Sequence, residues 1–122
     1  MTNASDGPSI ADSSLEDLLR TPLDPTLVDA ARLRIVAALI GLPPGGSLSF
    51  TALRRLLGMT DGNLGMHLRV LTEMGYIAVT QVSQGRRRQS HYSSTAAGRA
   101  AFEAHVSALE GIIIAARGEP DS

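Results

Sequence analysis

Thr60, Gly62, Asn63, Met66 and Arg69 are spaced to lie along the outer side of one short helix. Arg86, Arg87 and Arg88 follow a little further on as an unbroken cationic run. The chemistry these groups offer is non-covalent. A carboxamide pairs with adenine through two hydrogen bonds, and a guanidinium forks onto guanine or a phosphate. The free amides at the start of a helix suit phosphate as well. Covalent chemistry has no comparable support. Cysteine is absent, which excludes disulfides, thiolate metal sites and thiol nucleophiles. No GxSxG elbow and no glycine-rich phosphate loop occur. His67, His91 and His105 show no HxxxH or HxxE spacing. The sequence therefore reads as a non-enzyme with no metal and no cofactor.

The charge distribution supports a polyanionic partner. The 122 residues carry a formal charge of only −1, but unevenly. Residues 1–29 hold six acids and one arginine, a net −5; residues 100–122 hold four acids and one arginine, a net −3. Between them, residues 30–99 hold nine arginines and two acids, a net +7. A cationic middle between acidic ends is a localised footprint for a polyanion. The first residues lack the basic and apolar regions of a signal peptide. The longest apolar run, from Ile35 to Leu42, is far short of the ~20 residues of a membrane span. A soluble cytoplasmic protein without membrane contact is the expectation.

The elements that must position these groups are legible from caps and periodicity. Ser49 is placed to cap a helix in which Phe50, Leu53 and Leu57 share a face, with Leu48 and Leu53 spaced as a hydrophobic staple. Gly58 stands where a left-handed residue would end it. Thr60 caps a second helix, whose Leu64, Leu68 and Leu71 form the buried stripe, and Met59 with Leu64 repeats the staple. This is a helix-turn-helix pattern whose second helix leaves Gly62, Met66, Arg69 and Glu73 outward, with Asn63 and Val70 at the edge. Gly62 and Gly65 weaken that helix by ~1 kcal/mol each. Close approach to DNA explains both, although Gly65 could instead serve tight packing on another helix. Asp61 suits the helix start, and His67 flanks the leucines, where packing competes with a phosphate contact. Arg54 and Arg55 on the first helix are candidates for the DNA backbone or ordinary surface charges.

Around this core, residues 1–12 read as a disordered tail, 13–117 as the domain and 118–122 as a second tail. Ser13 or Ser14 is placed to cap a short helix to Arg20, with Leu15, Leu18 and Leu19 as its apolar side. Asp24-Pro25 reads as the start of the next helix, which carries Val28, Ala31, Ile35, Ala38 and Leu42 on one face and ends at Pro43-Pro44-Gly45-Gly46. After Gly75 the pattern alternates. Ile77, Val79 and Gln81 oppose Ala78, Thr80 and Val82, then Ser83-Gln84-Gly85 turns into the three arginines and a strand from Gln89 to Ser94 returns. Thr95 caps a long helix to about Arg117, with Gly98 its early weak point. There Phe102, Val106, Leu109 and Ile113 form a coiled-coil-like seam that Ile112 and Ile114 widen.

With these residues in place, the chain resembles the small winged helix-turn-helix regulators near the MarR and ArsR families of bacterial and archaeal transcriptional regulators. The resemblance covers roughly residues 22–114. It is carried by TDGNLxxHLxxLxxxGYI, the GRRR wing and TxxGRxAF. It implies a mainly α fold with a small β-hairpin wing and extra N- and C-terminal dimerisation helices. The implied function is that of a homodimer, more often repressor than activator. Its recognition helices would enter successive major grooves of a pseudo-palindromic operator, and the wings would reach a flanking minor groove or backbone. Many such proteins release DNA on binding a small molecule at the dimer interface, so an effector of open identity is an implied partner.

Carried over by position, Thr60, Asn63, Met66 and His67 fall on the recognition helix and Arg86, Arg87 and Arg88 on the wing. The chain departs from the family at Gly65, often serine or lysine, and at Ser94, often leucine. It also has Val28-Asp29-Ala30 where His-x-Pro is common, which implies a straighter first helix. The competing reading is a winged-helix protein–protein interaction module, which would bind DNA weakly and independently of the wing arginines.

Overall fold

The computed structural model describes residues 15–118 and divides into two units. One runs from Asp24 to Glu103; among the described residues, the other combines residues 15–23 with residues 104–118. The expected tail 1–12, the caps Ser13 and Ser14, and residues 119–122 lie outside the described residues. In chain order the elements are α1 (residues 15–20), α2 (Ala30–Ile40), β1 (Leu48–Ser49) and α3 (Phe50–Leu57). They continue with α4 (Asp61–Glu73), β2 (Ile77–Gln84), β3 (Arg87–Ser94) and α5 (Ala96–Arg117).

The start of α2 differs from the sequence expectation. Asp24 does accept from the amides of Thr26 and Leu27, at 2.7 and 3.2 Å, but closes only a single turn. The chain is extended at Asp29 (φ −66°, ψ 125°), whose carboxylate caps a fresh helix through the amide of Arg32 at 3.1 Å. That bond, foremost, holds the Asp29 carboxyl below the usual carboxylate range. The segment is thus broken at Asp29 rather than straighter, because a short side chain that can bond its own backbone makes a better cap than a mid-helix residue. The break leaves Val28 exposed and buries Leu27 completely.

In the unit from Asp24 to Glu103, Leu27, Ile35, Val36, Leu39, Leu53, Leu64, Leu68, Leu71 and Ile77 form one buried cluster. β1, β3 and β2 form an antiparallel sheet in that order, with Leu48 opposite Tyr92 and Val79 opposite Tyr92 on its other side. The Schellman geometry expected after a helix recurs after α4. Gly75 takes φ 79° and the amide of Tyr76 bonds the carbonyl of Leu71 at 3.0 Å.

Gly98 proves to be a contact rather than a weak point. A Cβ there would overlap the Tyr76 carbonyl. Thr95 joins the same junction: its hydroxyl donates to the Gly75 carbonyl at 2.6 Å and accepts from the Gly98 amide at 2.9 Å. Tyr76 in turn donates to the Asp24 carboxylate at 2.6 Å. Asp24, Gly75, Tyr76, Thr95 and Gly98 therefore tie the entry to α2, the exit of α4 and the start of α5 into one network.

In the other unit, α1 crosses α5 closely at Gly111, where a Cβ would come within 3.2 Å of the Leu18 carbonyl oxygen. The buried line of α5 is His105, Ala108 and Gly111. The predicted seam runs beside it: Val106, Leu109 and Ile112 are half-buried and Ile113 is 45% exposed. Phe102 packs against the main cluster. Among the described residues, no helix is long and apolar enough to cross a membrane.

Candidate nucleic-acid interface

Both helices of the helix-turn-helix start where the cap residues direct. Ser49 accepts from the Ala52 amide at 3.1 Å and Thr60 from the Asn63 amide at 3.2 Å. Gly58 takes φ 64°, and the Met59 amide bonds the Arg54 carbonyl at 3.1 Å, closing α3. The inner side of α4 buries Leu64, Leu68 and Leu71 as the spacing demands. Its outer side leaves Gly62, Asn63, Met66, Arg69 and Glu73 exposed. Among the described residues, and apart from their chain neighbours and their own helix backbone, no atom lies within 4 Å of where a Cβ would stand at Gly62 or Gly65. Packing on a neighbouring helix therefore does not account for Gly65.

Two basic candidates are engaged within the fold. His67 is only 8% exposed and lies among the leucines, turned away from the outer face. Its Nδ1 is 3.4 Å from a terminal guanidinium nitrogen of Arg32. Arg32 is held in turn by the Thr26 carbonyl at 2.7 Å. Because a guanidinium only donates, this contact uses Nδ1 as acceptor. Arg54 pairs with Asp61 at 3.1 Å across the turn between the helices. That pair also fixes Asp61 at the positive end of α4, its expected place. Arg55 and Arg69 are exposed, and among the described residues no acid lies within ion-pair distance of either.

The wing is longer and tighter than expected. Ser83 and Gln84 belong to β2, and Arg87 and Arg88 to β3, so only Gly85 and Arg86 form the turn. The ladder runs unbroken to the Gln84–Arg87 pair because Gly85, at φ 61°, supplies the left-handed residue that a two-residue hairpin needs. All three arginines are exposed, but strand alternation separates them. Arg88 shares the inner face with Ser90 and Tyr92, and lines a cleft of about 210 Å³ with Ser49, Phe50 and Thr51 at the start of α3. Arg87 shares the opposite face with Gln89 and His91. There His91 lies 3.2 Å from Gln89 and 3.3 Å from the hydroxyl of Ser47.

Between α4 and the inner face of the wing lies a second cleft, of about 310 Å³. It is lined by Gly65, Leu68, Arg69, Thr72, Glu73, Val79 and Tyr92. Its wing side, Val79 and Tyr92, was not among the residues singled out from the sequence. The alternation placed Val79 beside Ile77, but only the register brings Tyr92 opposite it.

A family model described as a winged helix DNA-binding domain matches residues 31–113. No curated protein matches the chain in sequence. Among solved structures, it is similar to a transcriptional regulator homologue from Pyrococcus horikoshii OT3, at 25% identity and a TM-score of 0.66. The alignment covers 83% of this chain and 94% of that one. A MarR-family transcriptional regulator from Rhodococcus sp. RHA1 has the same fold (16% identity, TM-score 0.59, 93% and 78% coverage). So does S. aureus MepR in its complex with DNA (18% identity, TM-score 0.59, 93% and 84% coverage).

Proposed function

Because the chain belongs to the winged helix DNA-binding domain family, we propose that it is a homodimeric transcriptional repressor of MarR type. In this reading it binds a pseudo-palindromic operator with α4 in the major groove, and the wing lies on the flanking minor groove or backbone. The observation that carries this reading is the division of α4. Its leucine face is spent on the core, while Asn63, Met66 and Arg69 remain exposed beside an arginine-bearing hairpin. Asn63 offers the base-edge contact, and Thr60 and Gly62 bring the start of the helix close to the DNA. Arg55 supplies backbone charge on one side. Arg86 stands in the turn itself, with Arg87 and Arg88 on the two faces behind it. His67 and Arg54 act through the fold, on the packing and the start of α4. The half-exposed seam of α5 supports pairing of two copies, and occupancy of an operator is all that repression requires.

Selection of bound duplexes from a random pool at physiological salt tests this. The expected product is a two-fold symmetric site with half-sites one helical turn apart. Replacing Arg86, Arg87 and Arg88 together with alanine should weaken binding to every sequence and flatten the salt dependence by about one unit per lost phosphate contact. An unchanged slope rejects the wing assignment, and a pool that returns no consensus favours the protein-interaction module.

A further inference from the structure

Ser90 is the only hydroxyl in the chain with arginine both two and three residues before it, in the run Arg86-Arg87-Arg88-Gln89-Ser90. Protein kinases choose substrates by charge pattern, and one with an acidic substrate groove reads a guanidinium pair at this spacing. We propose that Ser90 is a phosphorylation site for such an arginine-directed kinase. The cleft between β3 and the start of α3 receives the phosphate, and the modified wing lets go of DNA. In the transfer, the Ser90 Oγ attacks the γ-phosphorus of a nucleoside triphosphate and the bond to the β-phosphate oxygen breaks. The nucleoside diphosphate leaves, and the hydroxyl proton passes to the base of the kinase. The regulatory consequence rests on the DNA-binding reading above; the modification itself does not.

Three observations converge on this residue. The first is presentation. Residues 87–90 are extended in β3, and the pairing of β3 with β1 ends at His91 opposite Ser49. Among the described residues, the edge of β3 away from β2 is therefore open from Ser90 to the tip. An extended segment with an open edge can be taken up along its backbone. The second is a contrast. Thr72 also has an arginine, Arg69, three residues before it. It lies inside α4, however, and donates its hydroxyl to the Leu68 carbonyl at 2.7 Å. The Ser90 hydroxyl instead accepts from the Gln81 side-chain amide at 2.9 Å, an exposed contact that a kinase can displace. The third is a seat for the product. Ser90 and Arg88, on one face of β3, line the cleft of about 210 Å³ with Ser49, Phe50 and Thr51. The first-turn amides of α3 have no acceptor within the helix, and the Ser49 hydroxyl takes that of Ala52. A phosphate opposite an arginine at a helix start gains charge-assisted hydrogen bonds. Its charge of about −1.5 to −2 also offsets much of that of Arg86, Arg87 and Arg88, and it draws Arg88 inward.

The test treats the full chain with the catalytic subunit of an arginine-directed serine/threonine kinase and magnesium ATP. Mass spectrometry should find one phosphoryl group, mapped to Ser90. Ser90→Ala should stay unlabelled and bind the operator duplex selected by the wild type as tightly as the wild type does. A folded chain that is not labelled, or is labelled elsewhere, overturns the proposal. Phosphorus NMR then reads the seat. The second ionisation of the phosphoserine should fall below that of the same phosphorylated segment, residues 86–94, as a free peptide, because Arg88 and the helix start favour the dianion. Equal values in chain and peptide mean a phosphate left in solvent and reject the cleft. The fully phosphorylated chain should bind operator and random duplex alike on the order of ten-fold more weakly, with a salt slope flatter by about one to two. Unchanged affinity rejects the regulatory role. If the unmodified chain selects no DNA, the DNA-binding reading falls, and labelling and phosphorus NMR still decide the site.

Discussion

Tyr76 shows how much one side chain can hold. It stands three residues after the end of α4, lends its carbonyl to the close approach of Gly98, and donates its hydroxyl to Asp24 from a position 52 residues away in sequence. The Asp24 carboxylate that accepts this bond, together with burial and its negative charge, pushes the phenol up to about 12. Raised above its unfolded value near 10, the group contributes stability that is complete below pH ~10 and lost as the pH rises through about 12. Tyr76→Phe should therefore cost about 1.5 kcal/mol at neutral pH, the low end for a bond to a charged acceptor. The difference from wild type should vanish toward pH 12. Denaturant titrations at pH 7, 9 and 11.5 would read this, and a difference independent of pH would reject the bond as its source.

At the scale of elements, the junction of α4, β2 and α5 is the point at which the wing is aimed. Gly98 makes it possible. Elsewhere in a helix, glycine to alanine gains up to ~1 kcal/mol, but here the new Cβ would meet the Tyr76 carbonyl. Gly98→Ala should destabilise the chain by about 1–3 kcal/mol, as overpacking does. Chemical denaturation measures this, and a stabilised variant would show that α5 can move away from Tyr76 without loss. The contrast with Gly65, where the same exchange is expected to stabilise, separates a glycine the fold requires from one it does not.

On the scale of the whole molecule, charge is segregated along the sequence. The +7 stretch of residues 30–99 contains α4 and the wing, while the acidic ends flank it. That distribution steers a polyanion to one part of the chain and limits contact elsewhere. Ile113 and Ile114 stay exposed in the single chain, at 45% and 37%, beside the half-buried Val106 and Leu109. If this stripe joins two copies, Ile113→Glu should convert a dimer into a monomer in sedimentation velocity, and operator affinity should fall with it. A variant that still sediments as a dimer would move the interface elsewhere.

Local signals determined the elements of this protein. Ser49, Gly58, Thr60, Gly75 and Thr95 each satisfy or close neighbouring backbone, so caps and turns follow from residues within a few positions, as do the leucine faces they bracket. Tertiary structure decided what depends on distant partners. The break at Asp29 is not legible locally, because Asp24-Pro25 offers an equally good start. His67 and Arg54 are both candidates for a phosphate contact in sequence; only the fold sets one beside Arg32 and the other beside Asp61. Strand register separated the three arginines and put Val79 opposite Tyr92. The meaning of each glycine, required at 98 and vacant at 65, came from what the rest of the chain places against it, since a missing side chain leaves no mark in sequence of what fills its space.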